Sequence, residues 1–412
     1  MADERVIRPV TAEEWPAFFA MLSDAFGEDY NAENLALETL TAEANRSLAV
    51  FEGSTIVGTA GAFSFDLTVP GSHVAAAGVT YVGVQPTHRR RGILTNLMRR
   101  QLDDVHQRGE PVAVLWASEA AIYGRFGYGL ASQRLDVEVD RLDASLRPDL
   151  PDTDDIGVRL VAPGDVASDV ERIEASVAPT RAGTFARDKR WIELLVADPE
   201  SHRRGMSRRQ GLLASRDGEP IGYALYRTKT DFVRPYGLPN GEVHLLGLAA
   251  TDPAATVALT RTLLSIDLMR RLRCWNLPVD SPLPHLLRDP RHVRTTVLDG
   301  LFLRIVDMGP ALSARRYVAP VDVVLEVSDT FCPWNDGRWR LVGDRDGARC
   351  ERTTEPAQVR LSAEALGAAY LGGTRLTALA AAGRVRADDD KTLAAVSAAF
   401  QGDTAPWCPT VF

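Results

Sequence analysis

Val79-Thr80-Tyr81-Val82-Gly83-Val84-Gln85-Pro86-Thr87-His88-Arg89-Arg90-Arg91-Gly92-Ile93-Leu94 reads as a strand running directly into the start of a helix. A helix N-terminus has four backbone N–H groups without intrahelical partners and the positive end of the helix dipole, so it favours an anion such as phosphate. Gly92 lets such a group approach the backbone, and Arg89, Arg90 and Arg91 add charge and paired donors. Pyrophosphate is a natural ligand for that combination. On residues alone the R-R-R turn reads equally as a solvated basic surface; its place after a strand, and its loss in a second copy described below, favour the anion. The usual triphosphate and dinucleotide loops are excluded, because no G-x-x-x-x-G-K-[ST] occurs and no G-x-G-x-x-G opens a helix after a strand.

Elements on either side complete a pattern. Thr11-Ala12-Glu13-Glu14 has capping-box spacing ahead of a helix carrying Trp15, Phe18, Phe19 and Leu22 on one face, which Gly27 can end. Ser47 to Phe51, the turn Glu52-Gly53-Ser54 and Thr55 to Phe65 read as an antiparallel hairpin, and Val79 to Val84 as a further strand. An amphipathic helix from about Gly92 to Gln107 leads to the nearly continuous apolar strand Pro111 to Ala117, of the kind buried on both faces. A second copy follows: Gly58 lies 25 residues before Gly83, and Gly222 lies 25 before Gly247, each pair preceded by a hairpin turn and followed by a helix. The strand-to-helix turn of that copy is Thr251-Asp252-Pro253-Ala254-Ala255-Thr256, which cannot easily hold an anion.

Beyond residue 300 the pattern changes. Val321 to Val327, Arg338 to Val342, Ala348 to Arg352 and Gln358 to Leu361 read as short strands, followed by alanine-rich helices from about Ser362 to Ala382 and from Lys391 to Phe400. Boundaries are expected near Pro151 to Asp155 and near Arg288 to His292, dividing the chain into 1–150, 151–292 and 293–412. The length of 412 residues, 45% of them hydrophobic, suits two or three domains at about 150 residues each. The net charge of −8 has the wrong sign for a chain whose affinity rests on releasing phosphate counterions, so nucleic-acid binding is not expected. No apolar run approaches the ~20 residues of a membrane span, and Met1-Ala2-Asp3-Glu4-Arg5 lacks the order of a signal peptide, so a cytoplasmic protein is expected. Cys274, Cys332, Cys350 and Cys408 are too scattered for a zinc site or a disulfide framework; no metal is expected.

The strand-turn-helix resembles motif A of the GCN5-related N-acetyltransferases (GNAT), whose R-x-x-G-x-G/A loop holds the pyrophosphate of coenzyme A. Here it reads Arg89-x-x-Gly92-x-Leu94, with Leu94 departing from the small final residue. A closer resemblance, to the Eis (enhanced intracellular survival) acetyltransferases, spans the chain. It rests on T-H-R-R-R-G-I-L at 87–94, A-S-E-A-A-I-Y-G-R-F-G-Y-G at 117–129, D-S-P-L-P-H-L-L at 280–287, L-E-V-S-D at 325–329 and A-A-Y-L-G-G at 368–373. The resemblance implies an α+β fold of two tandem GNAT-type domains, the second degenerate, then a sterol-carrier-protein-like α/β domain, assembled as a homo-hexamer.

It further implies that acetyl-CoA is the co-substrate, bound by Arg89, Arg90, Arg91, Gly92 and Ile93 at the pyrophosphate, by the backbone of Val82 and Val84, and by Ser118. Tyr123 takes the general-acid position, a phenol with a pKa near 10 being able to protonate a leaving thiolate. Tyr128 is its rival. The α-carboxylate of Phe412 is the implied general base, although residues alone read the 404–412 tail as frayed. An acidic protein suits a cationic acceptor, with Glu28 and Asp29 at the entrance and Tyr81 and Trp116 beside the amine; Trp116 reads almost equally as a core residue. The expected activity is acetylation of aminoglycosides or other polyamines. Protein lysine acetylation is the alternative substrate class, and a non-catalytic acyl-CoA or lipid-binding protein the alternative of another class.

Overall fold

The computed structural model describes residues 5–141 and 144–412, so Met1–Glu4 of the amino-terminal reading lie outside the described residues. The chain forms two compact units, one made of Met1–Ser132, Arg181–Phe185 and Gly300–Phe412, the other of Gln133–Thr180 and Ala186–Asp299.

The first unit is built on a seven-stranded sheet ordered β1 (Val6–Pro9), β2 (Leu48–Glu52), β3 (Thr55–Val69), β4 (Ser72–Val84), β5 (Val112–Trp116), β16 (Leu301–Ile305), β6 (Gly129–Leu130). All neighbours are antiparallel except β4 and β5. Helix α1 (Trp15–Phe26) buries Trp15, Phe18, Phe19 and Met21 and stops at Gly27, whose φ of 71° supplies the left-handed cap. The capping box forms: the Glu14 carboxylate accepts from the Thr11 amide at 2.9 Å and also pairs with Arg8, which holds its pKa down at about 2. Helix α2 (Ala32–Thr41) is capped by Asn31. Helix α3 (Ile93–Gln107) buries Leu97, Met98, Leu102 and Val105, and its Gln101 side chain donates to the Gly61 carbonyl at 2.8 Å.

A matching sheet organises the second unit, in the order β15 (Val293–Asp299), β7 (Gln133–Asp140), β14 (Met269–Pro278), β13 (Gly241–Ala250), β10 (Glu219–Lys229), β9 (Gln210–Arg216), β8 (Ile156–Val161). Helices α4 (Ala167–Val177), α5 (Lys189–Val196), α6 (Pro253–Ser265) and α7 (Leu283–Leu286) accompany it, with a small hairpin of β11 (Phe232–Val233) and β12 (Leu238–Pro239). The long antiparallel pair, the helix and then a parallel strand recur in both units as the equal glycine spacing implied. The expected divisions at 150 and 292 do not coincide with the sheets. β7, before residue 150, pairs with β14 and β15 of the second sheet, and β16, after 292, pairs with β5 and β6 of the first. Proline and charge mark the exposed connections, whereas sheet membership is set by which apolar strand edge each segment completes.

Residues after β16 add a five-stranded sheet to the first unit, ordered β19 (Ala348–Arg352), β18 (Gly337–Gly343), β17 (Val321–Ser328), β20 (Val359–Ser362), β21 (Val385–Ala387). Helices α8 (Met308–Ala314), α9 (Ala363–Tyr370), α10 (Leu376–Ala381) and α11 (Asp390–Ala399) go with it. The expected single helix from Ser362 to Ala382 is therefore two, broken where Gly372 turns left-handed at φ 89° with the Gly402 amide only 2.8 Å from the site of a Cβ. Arg315 sits fully buried at the centre. Its guanidinium donates to the Phe400 carbonyl at 2.8 Å and to the Tyr370 carbonyl, at the C-terminal ends of α11 and α9, and lies 4.6 and 4.7 Å from the rings of Phe400 and Tyr317. Helix C-termini present unpaired carbonyls and negative dipole ends, so two of them and a π cage compensate one buried cation. Arg315→Ala strands both carbonyls and leaves a void, for an expected loss of about 3 kcal/mol or more, read from the urea midpoint.

Candidate active site

β4 pairs with β5 only from Ala76–Val112 to Val79–Leu115; beyond that, β4 keeps β3 alone as its strand neighbour. The separation begins at a β-bulge, where Tyr81 takes φ 54° and Gly61 opposite must lack a side chain because a Cβ there would lie 2.7 Å from the Tyr81 ring. Val82 and Val84, both half-buried, occupy this unaccompanied end of β4.

The strand then enters the turn. Arg90 (φ 63°) and Gly92 (φ 79°) are both left-handed, and nothing lies within 4 Å of where a Gly92 Cβ would stand. Arg89, Arg90, Arg91 and Gly92 are exposed, and Arg89 also donates to the Ala25 carbonyl at 3.2 Å. Ile93 is buried, so what it offers the turn is its amide. No side chain caps α3 and no acidic residue lies in its first turn. The equivalent helix α6 is closed: Asp252 accepts from the Ala254 amide at 2.7 Å, pairs with Arg216 at 2.6 Å, and precedes Pro253, which has no N–H. A carboxylate of the chain itself occupies the place that the first copy leaves open.

Tyr123 lies between the short turns Ala120–Ile122 and Gly124–Phe126, where its carbonyl accepts from the amides of Phe126 and Tyr128. The side chain is 5% exposed. Burial, with a smaller push from the Glu119 carboxylate, raises its pKa to about 12. Tyr128 is fully buried in the core, its ring 6.0 Å from that of Tyr123 and its hydroxyl without a hydrogen-bond partner among the described residues. Of the two, Tyr123 is the less deeply buried phenol. Behind the loop, buried Arg304 of β16 pairs with Asp329, and its guanidinium fills the space a Gly127 side chain would need.

The 405–412 tail is ordered against the same sheet. The Trp116 indole, at the end of β5, donates to the Thr410 carbonyl at 2.8 Å, and Cys408 is buried. The Phe412 ring stands edge-on to Phe65 at 4.9 Å, to Phe185 at 6.1 Å and to Phe63 at 6.2 Å. Phe63 in turn meets Tyr81 at 5.5 Å. Tyr81 and Phe412 thus meet through one group of rings, and Trp116 joins them through the tail backbone at Thr410. Glu28 and Asp29 are exposed in the loop after α1 and Ser118 is exposed two residues past β5; among the described residues, no hydrogen bond or ring contact joins these three to that group. The carboxylate that does reach it is Glu38 of α2, which accepts from the Tyr81 hydroxyl at 3.1 Å. Sequence reading missed Glu38, Phe63, Phe65 and Phe185. The alternation Phe63-x-Phe65 was a signal for the two on β3; nothing local marked the others.

An acetyltransferase (GNAT) domain family matches residues 6–131, a second matches residues 183–305, and the sterol carrier protein domain family matches residues 308–409. N-acetyltransferase Eis of Mycobacterium tuberculosis is 37% identical over 410 residues, covering 95% of this chain and 96% of that protein. The chain belongs to the Eis family of N-acetyltransferases. A relative named as an uncharacterized N-acetyltransferase of Streptomyces avermitilis is 49% identical over all of this chain and 99% of its own length. The crystal structure of Eis1 from Mycobacterium abscessus superposes with a TM-score of 0.84 at 33% identity, covering 99% of this chain and 100% of that one. As an Eis-family member the protein is an acyltransferase, with two GNAT domains followed by a sterol-carrier-like domain. Among the described residues, no group of three or more His, Cys, Asp or Glu side chains is placed to hold a metal ion, and no helix is long and apolar enough to cross a membrane.

The elevated Tyr123 pKa sets a direct expectation. A spectroscopic titration of the wild type minus Tyr123→Phe shows its tyrosinate step near pH 12; a step at the ordinary value near 10 contradicts the buried placement.

Proposed function

We propose that the first GNAT domain transfers the acetyl group of acetyl-CoA to a primary amine of a cationic acceptor, with aminoglycosides, at one or several positions, and other polyamines as the acceptor class. The contrast between the two helix starts carries the reading: α3 begins uncapped behind Gly92 and three exposed arginines, while α6 is closed by Asp252. In this reading Arg89, Arg90, Arg91, Gly92 and the Ile93 amide hold the pyrophosphate, and Ser118 adds a contact. The backbone of Val82 and Val84 receives the pantetheine arm and the thioester oxygen, where donors fixed in advance stabilise the charge that develops on attack.

The α-carboxylate of Phe412 takes the acceptor's ammonium proton, directly or through one water. An α-carboxyl has an ordinary pKa near 3.5, and apolar surroundings make a carboxylate a stronger base; the rings of Phe63, Phe65 and Phe185 support that environment. The freed nitrogen lone pair forms the C–N bond, the C–S bond breaks with its electron pair leaving on sulfur, and the now cationic nitrogen sheds its second proton to solvent, leaving a neutral amide. Tyr123, still protonated at neutral pH, donates a hydrogen bond to that sulfur. As general acid it passes its proton to the departing thiolate and is itself reprotonated from solvent, because burial raises its pKa above that of a free thiol. Glu38 and the faces of Tyr81 and Trp116 suit a cationic acceptor, with Glu28 further out at the entrance. A cytoplasmic location and a homo-hexamer belong to the same reading.

Thiol release from acetyl-CoA, assayed against aminoglycosides, polyamines and lysine peptides, tests the proposal; silence across the panel together with no acyl-CoA binding overturns it. Tyr123→Phe and deletion of Phe412 are each expected to lower kcat about a hundredfold with the KM for acetyl-CoA unchanged. Gly92→Val should instead raise that KM. Undiminished turnover without Phe412 removes the base assignment.

A further inference from the structure

Five residues, Arg181–Phe185, belong to the first unit although the chain on both sides of them belongs to the second. They meet that unit in two places at once. On one side they extend β3 at its end: the Thr68 amide donates to the Thr184 carbonyl and the Gly183 amide to the Thr68 carbonyl, both at 2.8 Å, while Leu67 bridges to Phe185. On the other they hold the tail. The Arg181 guanidinium donates to the Ala405 carbonyl at 2.6 Å, and the Trp407 amide donates to the Ala182 carbonyl at 2.9 Å. Gly183 lies between the two, at φ 92°, with the Trp407 backbone 3.0 Å from the site of a Cβ, so any other residue there is both strained and too large. The segment ends in Phe185, stacked face to face on Phe65 at 3.9 Å, and the Phe412 ring is set edge-on against this pair.

We propose that Arg181–Phe185 is a clasp that fixes the register of residues 405–412 on the first GNAT domain, with Arg181, Gly183 and Phe185 as positioning residues for Phe412. Three features of the clasp fit that role rather than general stability. Two backbone hydrogen bonds tie it to β3, which fixes where it stands. Its hydrogen bonds to Ala405 and Trp407 go to main-chain atoms, so they set position along the chain independently of side-chain identity there. Phe185 then forms part of the wall on which the Phe412 ring rests. The catalytic consequence rests on the proposed base role of Phe412, since a tail displaced by one residue moves its carboxylate by about 3.3 Å, beyond hydrogen-bond reach of the same amine.

The test separates the clasp from the base. In the full-length protein, amide exchange at Trp407 is measured for the wild type, Gly183→Val, Arg181→Met and Arg181→Lys, alongside kcat, the KM for acetyl-CoA and the pH profile. The clasp predicts exchange at Trp407 at least tenfold faster in Gly183→Val and Arg181→Met, and near-normal exchange in Arg181→Lys, which keeps a cationic donor for the Ala405 carbonyl. With Phe412 as base, kcat in the first two falls at least tenfold at constant KM, and the residual rate climbs with pH as hydroxide replaces the carboxylate. Unchanged Trp407 exchange in both variants overturns the clasp. Faster exchange with undiminished kcat upholds the clasp and overturns the base reading instead. Should Gly183→Val fail to fold, the wild type alone decides: the amides of Gly183 and Trp407 open together at one rate if the clasp is a unit, and independent rates refute it.

Discussion

The parallel pairing of β4 with β5 covers four residues on each strand and then stops, and the rest of the site depends on that stop. A sheet that continued to pair would satisfy the backbone groups of β4 internally and leave no room between the strands for a ligand. What ends the pairing is local and identifiable. Tyr81 in the left-handed region costs of order 1–2 kcal/mol for a residue with a side chain, and the bulge against β3 absorbs the extra residue that this conformation creates. The ring of Tyr81 is meanwhile held edge-on by Phe18, Phe19 and Phe63, which offsets the strain and fixes the kink.

The second unit has the same succession of long antiparallel pair, helix and parallel strand, and its own bulge at Leu225 and Tyr226. The difference lies in a few atoms at a helix start. Asp252 supplies to α6 what an exogenous anion would supply to α3, and its ion pair with Arg216 keeps that carboxylate ionised and in place, with its pKa held below the usual range. Divergence of two copies of one fold can thus turn on a single capping residue, because an N-terminal concavity satisfied from within has nothing left to offer.

The strand-to-helix turn and the repeated layout were legible because periodicity, capping residues and glycine positions act within a few residues along the chain. Val82 to Leu94 could be read as a unit for that reason. The exchange of β7 and β16 between the two sheets was not legible, since Gln133–Asp140 and Leu301–Ile305 carry the alternation or apolar run of any strand and nothing in them names the partner edge. The rings around Phe412 show the same limit. Phe63 and Phe65 announced a common face, but Phe185 reaches them over more than a hundred residues, and Glu38 meets Tyr81 only because α2 packs beside α1. The break at Gly372 was missed for a different reason: alanine-rich sequence has helix propensity throughout, and the close approach of Gly402 that requires a left-handed residue there is a tertiary fact.

Arg315 connects the sterol-carrier-like region to the tail. The interior of that region is occupied by its guanidinium and the rings of Tyr317, Tyr370 and Phe400, with the two tyrosine hydroxyls donating to the carbonyls of Leu312 and Ala311 at 2.9 Å. Burying a cation without a carboxylate is tolerable only if the surrounding dipoles are fixed, and both helix ends facing Arg315 are. One of them is Phe400, the last residue before residues 401–412 depart. The point of departure of the tail is therefore set by a buried hydrogen bond in the third region, and its far end by Trp116 and the Arg181–Phe185 segment of the same unit. A twelve-residue segment pinned at both ends has lost most of its conformational freedom before any ligand arrives, which is what a short apolar stretch containing Pro406 and Pro409 needs in order to stay ordered.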